Sequence, residues 1–354
     1  MLPLNWQRVR LGDIANYLTS NLSAEQITQQ GKIKVYDVNN FIGYTDTTFI
    51  SDKPYISIVK DGSVGRVRIL PPKTNILSTM GALIANHRTT TEFLFYLLSN
   101  FDFKNFTSGS IIPHIYFKDY KEKTIFLPPL NEQSAIANIL SGLDRYLYAL
   151  DALILKKEGV KKALSFELLS QRKRLKGFNQ AWQRVRLGDI ANYLTSNLSA
   201  EQITQQGKIK VYDVNNFIGY TDTTFISDKP YISIVKDGSV GRVRILPPKT
   251  NILSTMGALI ANHRTTTEFL FYLLSNFDFK NFTSGSIIPH IYFKDYKEKT
   301  IFLPPLNEQS AIANILSDLD NEIASLKNKK RQFENIKKAL NHDLMSAKIR
   351  VLEK

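Results

Sequence analysis

Residues 6–30 read WQRVRLGDIANYLTSNLSAEQITQQ, and residues 182–206 repeat these letters without a change. The identity continues, so that the whole stretch 6–141 recurs at 182–317 with an offset of 176 and no insertion or deletion. Solenoid repeats have periods of roughly 20–50 residues, so a unit of this length is the size of a domain. We therefore expect two copies of one domain, and any binding surface of one copy is also present in the other.

The composition narrows the class of protein. The 354 residues suit two domains with connecting segments, and 43% hydrophobic residues suffice for packed cores. Because the chain has no cysteine, disulfides and thiolate metal sites are excluded, which agrees with a reducing cytoplasm. We expect a cytoplasmic protein with no membrane partner, because neither a signal peptide nor an apolar run near the roughly 20 residues that span a bilayer is visible.

The charge balance points toward a partner. A net charge of +14 is typical of proteins that bind a polyanion, most often nucleic acid. A solubilising surface charge is the alternative explanation, and the charge alone does not separate the two.

Each copy is predicted to be a compact α+β domain. In the first copy, Lys60, Asp61, Gly62 and Ser63 form a turn signal that predicts a hairpin between two strands. A buried helix is predicted over residues 91–100, a shorter one over 14–18 and a polar loop over 103–116. Alternation and β-branched content predict strands at residues 6–11, 32–38, 49–59, 64–70 and 124–127.

After Pro129 the pattern becomes helical. Asn131 is a candidate N-cap and Gly177 a candidate C-terminal stop. Apolar residues then recur at spacings of three and four, which fits a heptad seam interrupted by Lys157 and Lys161. The predicted seam positions are Leu143, Leu147, Leu150, Ile154, Leu164, Leu168 and Leu175, and in the C-terminal helix Leu319, Ile323, Leu326, Phe333, Leu340, Leu344 and Val351.

The fold class follows from these patterns. We expect two identical α+β domains separated by two long helices that form an antiparallel coiled coil, with approximate two-fold symmetry. The alternative is that each helix packs only on its own domain. The predicted boundaries are 1–130 for the first domain, 131–177 for the first helix, 178–306 for the second domain and 307–354 for the second helix.

Motifs of catalysis are missing from the sequence. It contains no G-x-x-x-x-G-K-[ST], no H-E-x-x-H, no G-x-S-x-G and no glycine-rich dinucleotide fingerprint. The Pro-Pro pairs lack the preceding Asn or Asp that an amino-methyltransferase uses. No metal-ligand spacing is found among the five histidines, which are His87, His114, His263, His290 and His342. We therefore predict no catalytic, cofactor or metal site on this chain.

Two loops are candidates for DNA contact. The first has glycines that allow close backbone approach and two arginines expected on one face of a strand. Arginine can contact phosphates or pair with guanine, although an ordinary hairpin with a solvated basic face is the alternative. The candidate residues here and in the copy are Lys60, Ser63, Arg66, Arg68, Lys236, Ser239, Arg242 and Arg244.

The second loop combines lysine with small hydroxyl and amide side chains, which suit phosphate contacts that fix register. A surface loop whose Ser and Asn satisfy turn backbone is the alternative. Phe106, Tyr116 and Phe117 are expected in the core, and His87 with Arg88 is a weaker candidate contact. The candidate residues are Lys104, Asn105, Ser108, Ser110, His114, Lys118, Lys280, Asn281, Ser284, Ser286, His290 and Lys294.

The two ends of each copy carry a resemblance. The copy opens with Trp-x-x-Val-x-Leu-Gly-Asp-Ile from Trp6, passes through SGSIIPH at 108–114, and closes with LPPLNEQ at 127–133 followed by Ile136 and Ala137. This combination resembles the specificity subunit of type I restriction–modification systems, and the resemblance extends over essentially the whole chain.

The resemblance implies two target-recognition domains on double-stranded DNA, each reading one half of a bipartite site, with the helices setting the gap. It implies that catalysis resides in partners. These are an adenine methyltransferase subunit using S-adenosylmethionine, expected twice by symmetry, and a restriction subunit that is an ATP- and Mg²⁺-dependent translocase and nuclease. Family members usually carry two different domains, whereas identical ones should read a gapped palindrome. A self-sufficient DNA-modifying enzyme and a protein-binding adaptor are the alternatives.

Overall fold

The computed structural model describes residues 5–351, which separate into two compact units. Unit 1 contains residues 5–151 and 328–351, and unit 2 contains residues 152–327. Each unit therefore holds one copy of the repeated domain together with a segment from each of the two long helices.

The strands of the first domain form antiparallel sheets and one short parallel pairing. A four-stranded sheet has the order β2-β8-β5-β6, a three-stranded sheet has the order β4-β3-β7, and β1 pairs with β9. The strands are β1 (Gln7–Arg10), β2 (Ala15–Thr19), β3 (Ile33–Tyr36), β4 (Phe41–Thr45), β5 (Tyr55–Val59), β6 (Val67–Leu70), β7 (Asn75–Ile76), β8 (Met80–Ala85) and β9 (Thr124–Leu127).

The central strand β5 explains the layering of the domain. All five of its residues are buried, because alternate side chains enter two different cores. Ile56 and Ile58 pack in the cluster of α1 (Thr91–Ser99), whereas Tyr55 and Val59 pack in a second cluster with residues of β6, β7 and β8. Helix α1 begins where the Thr90 side chain accepts a hydrogen bond from the Phe93 amide. The predicted buried helix over 91–100 is confirmed.

The second domain repeats this architecture. Its strands have the sheet orders β11-β17-β14-β15 and β13-β12-β16, and β10 pairs with β20. The strands are β10 (Gln183–Arg186), β11 (Ala191–Thr195), β12 (Ile209–Tyr212), β13 (Phe217–Thr221), β14 (Tyr231–Val235), β15 (Val243–Leu246), β16 (Asn251–Ile252), β17 (Met256–Ala261), β18 (Thr283–Ser284), β19 (His290–Ile291) and β20 (Thr300–Leu303). The short helices are α2 (Phe117–Tyr120) in the first domain and α4 (Thr267–Ser275) and α5 (Phe293–Tyr296) in the second.

Several local predictions are wrong. Residues 14–18 are not helical, because a short 3₁₀ turn at Leu11–Asp13 leads directly into β2, which pairs along its length with β8. The strand predicted over 49–59 is confined to Tyr55–Val59, since Pro54 lies immediately before it. Strands β4, β7 and β8 were not predicted, because their short segments owe their extended form to sheet partners elsewhere in the chain.

Each long helix has 40 residues, about 60 Å at 1.5 Å per residue. Helix α3 spans Leu130–Leu169 and α6 spans Leu306–Met345. In unit 2, α3 and α6 run antiparallel, because Lys157 bonds Glu322 at 2.8 Å while Lys161 bonds Asp320 at 2.5 Å. In unit 1 the two helices also run antiparallel, because Asp151 pairs with Lys330 while Asp144 pairs with Lys337. The antiparallel helix pairing is therefore confirmed within each unit, and the alternative in which each helix packs only on its own domain is wrong.

The helix ends differ from the prediction. Asn131 is not the N-cap, because the helix already includes Leu130. Gly177 is not the stop, since α3 ends at Leu169 and Gln171 adopts the left-handed conformation with φ 62°. The chain leaves the helix early and folds back so that Arg174 reaches a buried carboxylate on α6. The predicted seam positions Leu175 and Val351 accordingly lie beyond the helices, whereas Leu150, Ile154, Leu168, Ile323 and Leu344 are buried as predicted.

Candidate nucleic-acid interface

The two loops singled out by sequence meet in the folded domain. The hairpin tip between β5 and β6 donates a hydrogen bond from the Gly62 amide to the Pro113 carbonyl at 2.9 Å. In return, the Ile115 amide donates to the Lys60 carbonyl at 2.9 Å. These cross-loop bonds join the polar loop to the hairpin, so that their side chains share one surface. We call the tip at 60–66 together with the loop at 104–118 the two-loop surface, and its copy in unit 2 comprises 236–242 and 280–294.

Glycine is required at one position of the hairpin tip. Gly65 has φ 81°, and a Cβ built on it would lie 2.7 Å from the Phe103 ring. Phe103, which leads into the second loop, therefore packs closely on the Gly65 backbone of the hairpin. Gly62 has a similar φ of 83° but no neighbour within 4 Å of such a Cβ. Glycine is therefore favoured at this position only by the backbone conformation.

A histidine and an aspartate connect the loops. The His114 Nδ1 atom lies 2.6 Å from Asp61 Oδ1, and His290 lies 2.7 Å from Asp237 in the other unit. Both partners are half-buried, so the pair is shielded from full competition by water. Burial together with the Asp61 carboxylate raises the pKa of the nearby Tyr17 hydroxyl. The candidate contact His114 is thus engaged within the protein and positions the loop.

Other candidates carry side chains that face solvent. Ser63, Arg66, Lys104 and Lys118 are exposed, and Lys118 Nζ lies 5.5 Å from the ring centroid of Tyr116. Tyr116 is itself 48% exposed, so the expectation that it belongs to the core is wrong. Exposed cations beside an exposed aromatic ring suit phosphate and base contacts.

Three of the predicted arginine contacts, Arg68, Arg244 and Arg242, form hydrogen bonds within the protein. Arg68 donates to the Asn39 carbonyl at 2.8 Å and lies over the Tyr36 ring, which links β6 to the β3–β4 turn. Arg66 precedes β6 and is free of that turn, although its copy Arg242 donates to Asn215 Oδ1 at 2.8 Å. In unit 1, Arg66 is thus the more available of the two arginines, whereas in unit 2 both Arg242 and Arg244 bond Asn215.

The amide candidate of the second loop is also used locally. The Asn105 amide group donates to Asp102 Oδ2 at 2.8 Å, and Asp102 in turn caps a short helical turn through the Lys104 amide. Phe106 and Phe117 pack against the domain core as predicted. The weaker candidate Arg88 lies in the turn that precedes α1, where it donates to Gln7 Oε1 at 3.0 Å.

Ser108 and Ser110 lie in an exposed loop segment, and Ser108 forms a backbone pair with His114. Between Ser110 and Pro113 lie Ile111 and Ile112, which are 91% and 55% exposed and are not among the predicted contacts. The available signal was the pair of β-branched residues placed inside an otherwise polar, glycine-containing loop.

The motif residues at the two ends of each domain join in the folded structure. The Trp6 indole donates to Glu132 Oε2 at 3.1 Å, and Arg350 bonds the same buried carboxylate at 3.3 Å. In unit 2, Trp182 and Arg174 make the equivalent bonds to Glu308. In each unit, one buried carboxylate at the start of a long helix therefore bonds the first residues of the domain and the segment that follows the other long helix.

The neighbouring glutamine also explains the motif. Gln133 is buried and accepts hydrogen bonds from the Thr89 hydroxyl and the Thr90 amide, both at 3.0 Å. Its amide group donates to the carbonyls of Arg88 and Pro128, both at 2.9 Å. Three of these bonds join the start of α3 to the residues that lead into α1, and the fourth joins Gln133 to Pro128 just before α3.

Among residues 5–351, no cluster of three or more His, Asp or Glu side chains is arranged to hold a metal ion. None of the helices in that same range is long and apolar enough to cross a membrane.

Known proteins are similar to this chain over most of its length. The model of the type I restriction modification DNA specificity domain matches residues 3–157 and again 179–335. The chain is 24% identical to the type I restriction enzyme MjaVIII specificity subunit of Methanocaldococcus jannaschii, over 99% of this chain and 94% of that protein.

Solved structures share the fold. The crystal structure of the type I restriction–modification S subunit from M. genitalium superposes with a TM-score of 0.66 at 23% identity, covering 96% of each chain. A chain from a structure of the complex assembly and conformational transition of the type I system gives a TM-score of 0.59 at 16% identity, covering 98% of each chain. Two matches to one domain model, repeated at the spacing of the internal duplication, place the chain in the family of type I restriction–modification DNA specificity proteins.

Proposed function

We propose that this chain is the non-catalytic DNA-recognition subunit of a type I restriction–modification complex, and that each domain reads DNA through its two-loop surface. The observation that carries the proposal is the junction of the two loops through Gly62 and Pro113. It gathers the exposed cations of both loops, including Arg66, Lys104 and Lys118, on one surface of each domain. Clustered Lys and Arg beside hydroxyl and aromatic groups suit phosphate contacts that position a reader on the duplex.

The identity of the two domains determines the kind of site we propose. Residues 6–141 and 182–317 are the same, so both two-loop surfaces must prefer the same bases. We propose that the two identical readers face opposite strands of the duplex. The proposed target is therefore a gapped palindrome with matching halves, whose gap is set by the long helices.

Catalysis is proposed to reside in partner subunits. In this assignment a methyltransferase subunit supplies S-adenosylmethionine chemistry on adenine, and a restriction subunit supplies ATP- and Mg²⁺-dependent translocation and cleavage. The fold shared with a chain of a type I assembly supports a role as a scaffold within such a complex. This chain would contribute recognition of the site and the geometry of the assembly.

We propose that the exposed face of the long helices docks two methyltransferase subunits. In unit 2, Leu155 and Phe166 are 68% and 52% exposed on α3, with Gly159 on the same stripe between them. No atom lies within 4 Å of a Cβ built on Gly159, so packing within the described part of the chain does not require this glycine. A mid-helix glycine costs about 1 kcal/mol relative to alanine, which suits close approach by a partner.

The corresponding face of unit 1 has a different character. Adding the repeat offset to Leu155 and Phe166 leads to Arg331 and His342 on α6. The two proposed docking faces are therefore unequal, and the methyltransferase subunit on unit 2 meets the more apolar surface. We expect it to be the more tightly held of the two.

The salt dependence of DNA binding tests the proposed recognition role. The chain, copurified with its methyltransferase subunit, is titrated with duplex DNA at several salt concentrations. Each phosphate contact contributes a slope of about −0.9 in log K against log salt, so several contacts give steep loss of affinity. Affinity that does not change with salt, or no affinity for DNA, would contradict the proposal and favour a protein-binding adaptor.

A further inference from the structure

The loop between Ser108 and His114 carries an apolar tip. Ile111 and Ile112 are 91% and 55% exposed in unit 1, and Ile287 and Ile288 are 92% and 55% exposed in unit 2. These are β-branched side chains with no packing role in the core clusters of their domains. Exposed apolar groups on a polar surface often mark a contact site for a partner.

The tip is held firmly although it is uncovered. The backbones of Ser108 and His114 exchange two hydrogen bonds, at 2.9 and 2.7 Å, and the equivalent residues in unit 2 lie on the paired strands β18 and β19. Gly109 adopts φ 89°, and a Cβ there would lie 2.3 Å from the Ile112 carbonyl oxygen. The segment is thus a short two-stranded ribbon, anchored to the hairpin through Asp61 and ending in the two isoleucines.

The surroundings of the tip favour a nucleic-acid partner. The loops of the two-loop surface bring exposed lysine and arginine side chains, such as Arg66, Lys104 and Lys118. Asp61 is the one acidic residue of the two-loop surface, and it is engaged with His114. An apolar tip in a cationic setting matches a duplex groove, where phosphates flank apolar base substituents.

We infer that Ile111 and Ile112, with Ile287 and Ile288, enter the major groove and pack against the 5-methyl groups of thymines in each half-site. The major groove is about 12 Å wide and admits a two-stranded ribbon, and the thymine methyl is the apolar group that it displays. This inference rests on the proposed recognition function and names the bases that the two-loop surface reads.

Replacement of thymine by deoxyuridine tests the inference, because it removes the methyl group and leaves the base pairing intact. The complex of the chain with its methyltransferase is titrated with duplexes of the mapped target in which the half-site thymines are replaced. We expect the affinity of the wild-type complex to fall about fourfold for each contacted methyl, which is the effect of burying one such group.

A quadruple substitution, in which serine replaces all four isoleucines, tests the same contact from the protein side. Because these residues are highly exposed, we expect the variant to fold, and thermal unfolding checks that it does. We expect this variant to bind the thymine duplex more weakly and to show no further loss on the deoxyuridine duplex. A graded variant with valine at the four positions should give an intermediate loss.

A matched control removes exposed apolar groups elsewhere. Leu18 and Leu194 are both 43% exposed on β2 and β11, and their replacement by serine should leave the thymine discrimination unchanged. The inference is overturned if the wild-type complex binds DNA but does not distinguish thymine from deoxyuridine. It is equally overturned if the serine variant keeps the full discrimination. Failure of the proposed function differs from both, because the wild-type complex would then bind no DNA.

Discussion

The substitution Glu308→Ala examines how the unit is held together. Glu308 is fully buried, and it accepts hydrogen bonds from Arg174 at 2.7 Å and from the Trp182 indole at 3.0 Å. Alanine removes the carboxylate, which leaves the indole N–H without a partner and the Arg174 guanidinium with only its bond to the Gln180 carbonyl at 2.8 Å. Removing one partner of a buried ion pair costs about 3–5 kcal/mol, and because Arg174 is 27% exposed we expect the lower end, about 3 kcal/mol.

Urea unfolding monitored by circular dichroism measures this cost, with the transition of unit 2 moving to lower urea. The matched control is Glu298→Ala, since Glu298 also accepts from an arginine, Arg186 at 2.9 Å, but is 55% exposed. We expect the control to shift the transition far less, because water replaces the lost partner. Equal shifts for the two variants would refute the argument that the buried carboxylate is a main support of the unit.

Three further predictions concern the hairpin, the DNA contacts and the docking face. Gly65→Ala should destabilise unit 1 more than Gly62→Ala in thermal unfolding, because both glycines have a positive φ but only Gly65 faces the Phe103 ring. Equal loss would contradict the close-packing argument. Replacing Arg66 and Arg242 by alanine should weaken DNA binding and, if both contact phosphate, flatten the salt slope by about 2 units. Unchanged affinity would remove both from the interface. Leu155→Glu should weaken methyltransferase association in analytical ultracentrifugation without changing the unfolding temperature, and unaltered association would contradict docking at that face.

The sequence predicted the large features of the fold because they depend on local pattern. The duplication, the hairpin turn at Lys60–Ser63, the helix over 91–100 and the strand Thr124–Leu127 are confirmed. The long helices were also predicted, because spacings of three and four persist through many turns. The helix ends were not predicted, because the end of α3 at Leu169 depends on the ion pair between Arg174 and the distant Glu308.

Features that depend on distant residues could not be predicted from the sequence. Lys157 and Lys161 interrupt the apolar seam, and only the structure shows that Glu322 and Asp320 on the other helix neutralise them. Residues 14–18 belong to a strand rather than the predicted helix, because their pairing partner β8 lies some 65 residues away.

The candidate site illustrates the same limit. Its two loops were identified separately, but their junction depends on backbone bonds between Gly62 and Pro113, which no local pattern reveals. Arg68 was predicted to be a free contact, yet its guanidinium is shared with the Asn39 carbonyl of another sheet. The side-chain type could be predicted from the sequence, and its availability could not.

Methylation mapping tests the proposed recognition role most directly. The chain is co-expressed with its cognate methyltransferase subunit, and the host genome is sequenced for modified adenines. The identity of residues 6–141 and 182–317 predicts one gapped palindrome whose two halves match. Modified sites with unlike halves would contradict equivalent reading by the two domains, and no modification by an assembled, active complex would contradict DNA recognition by this chain.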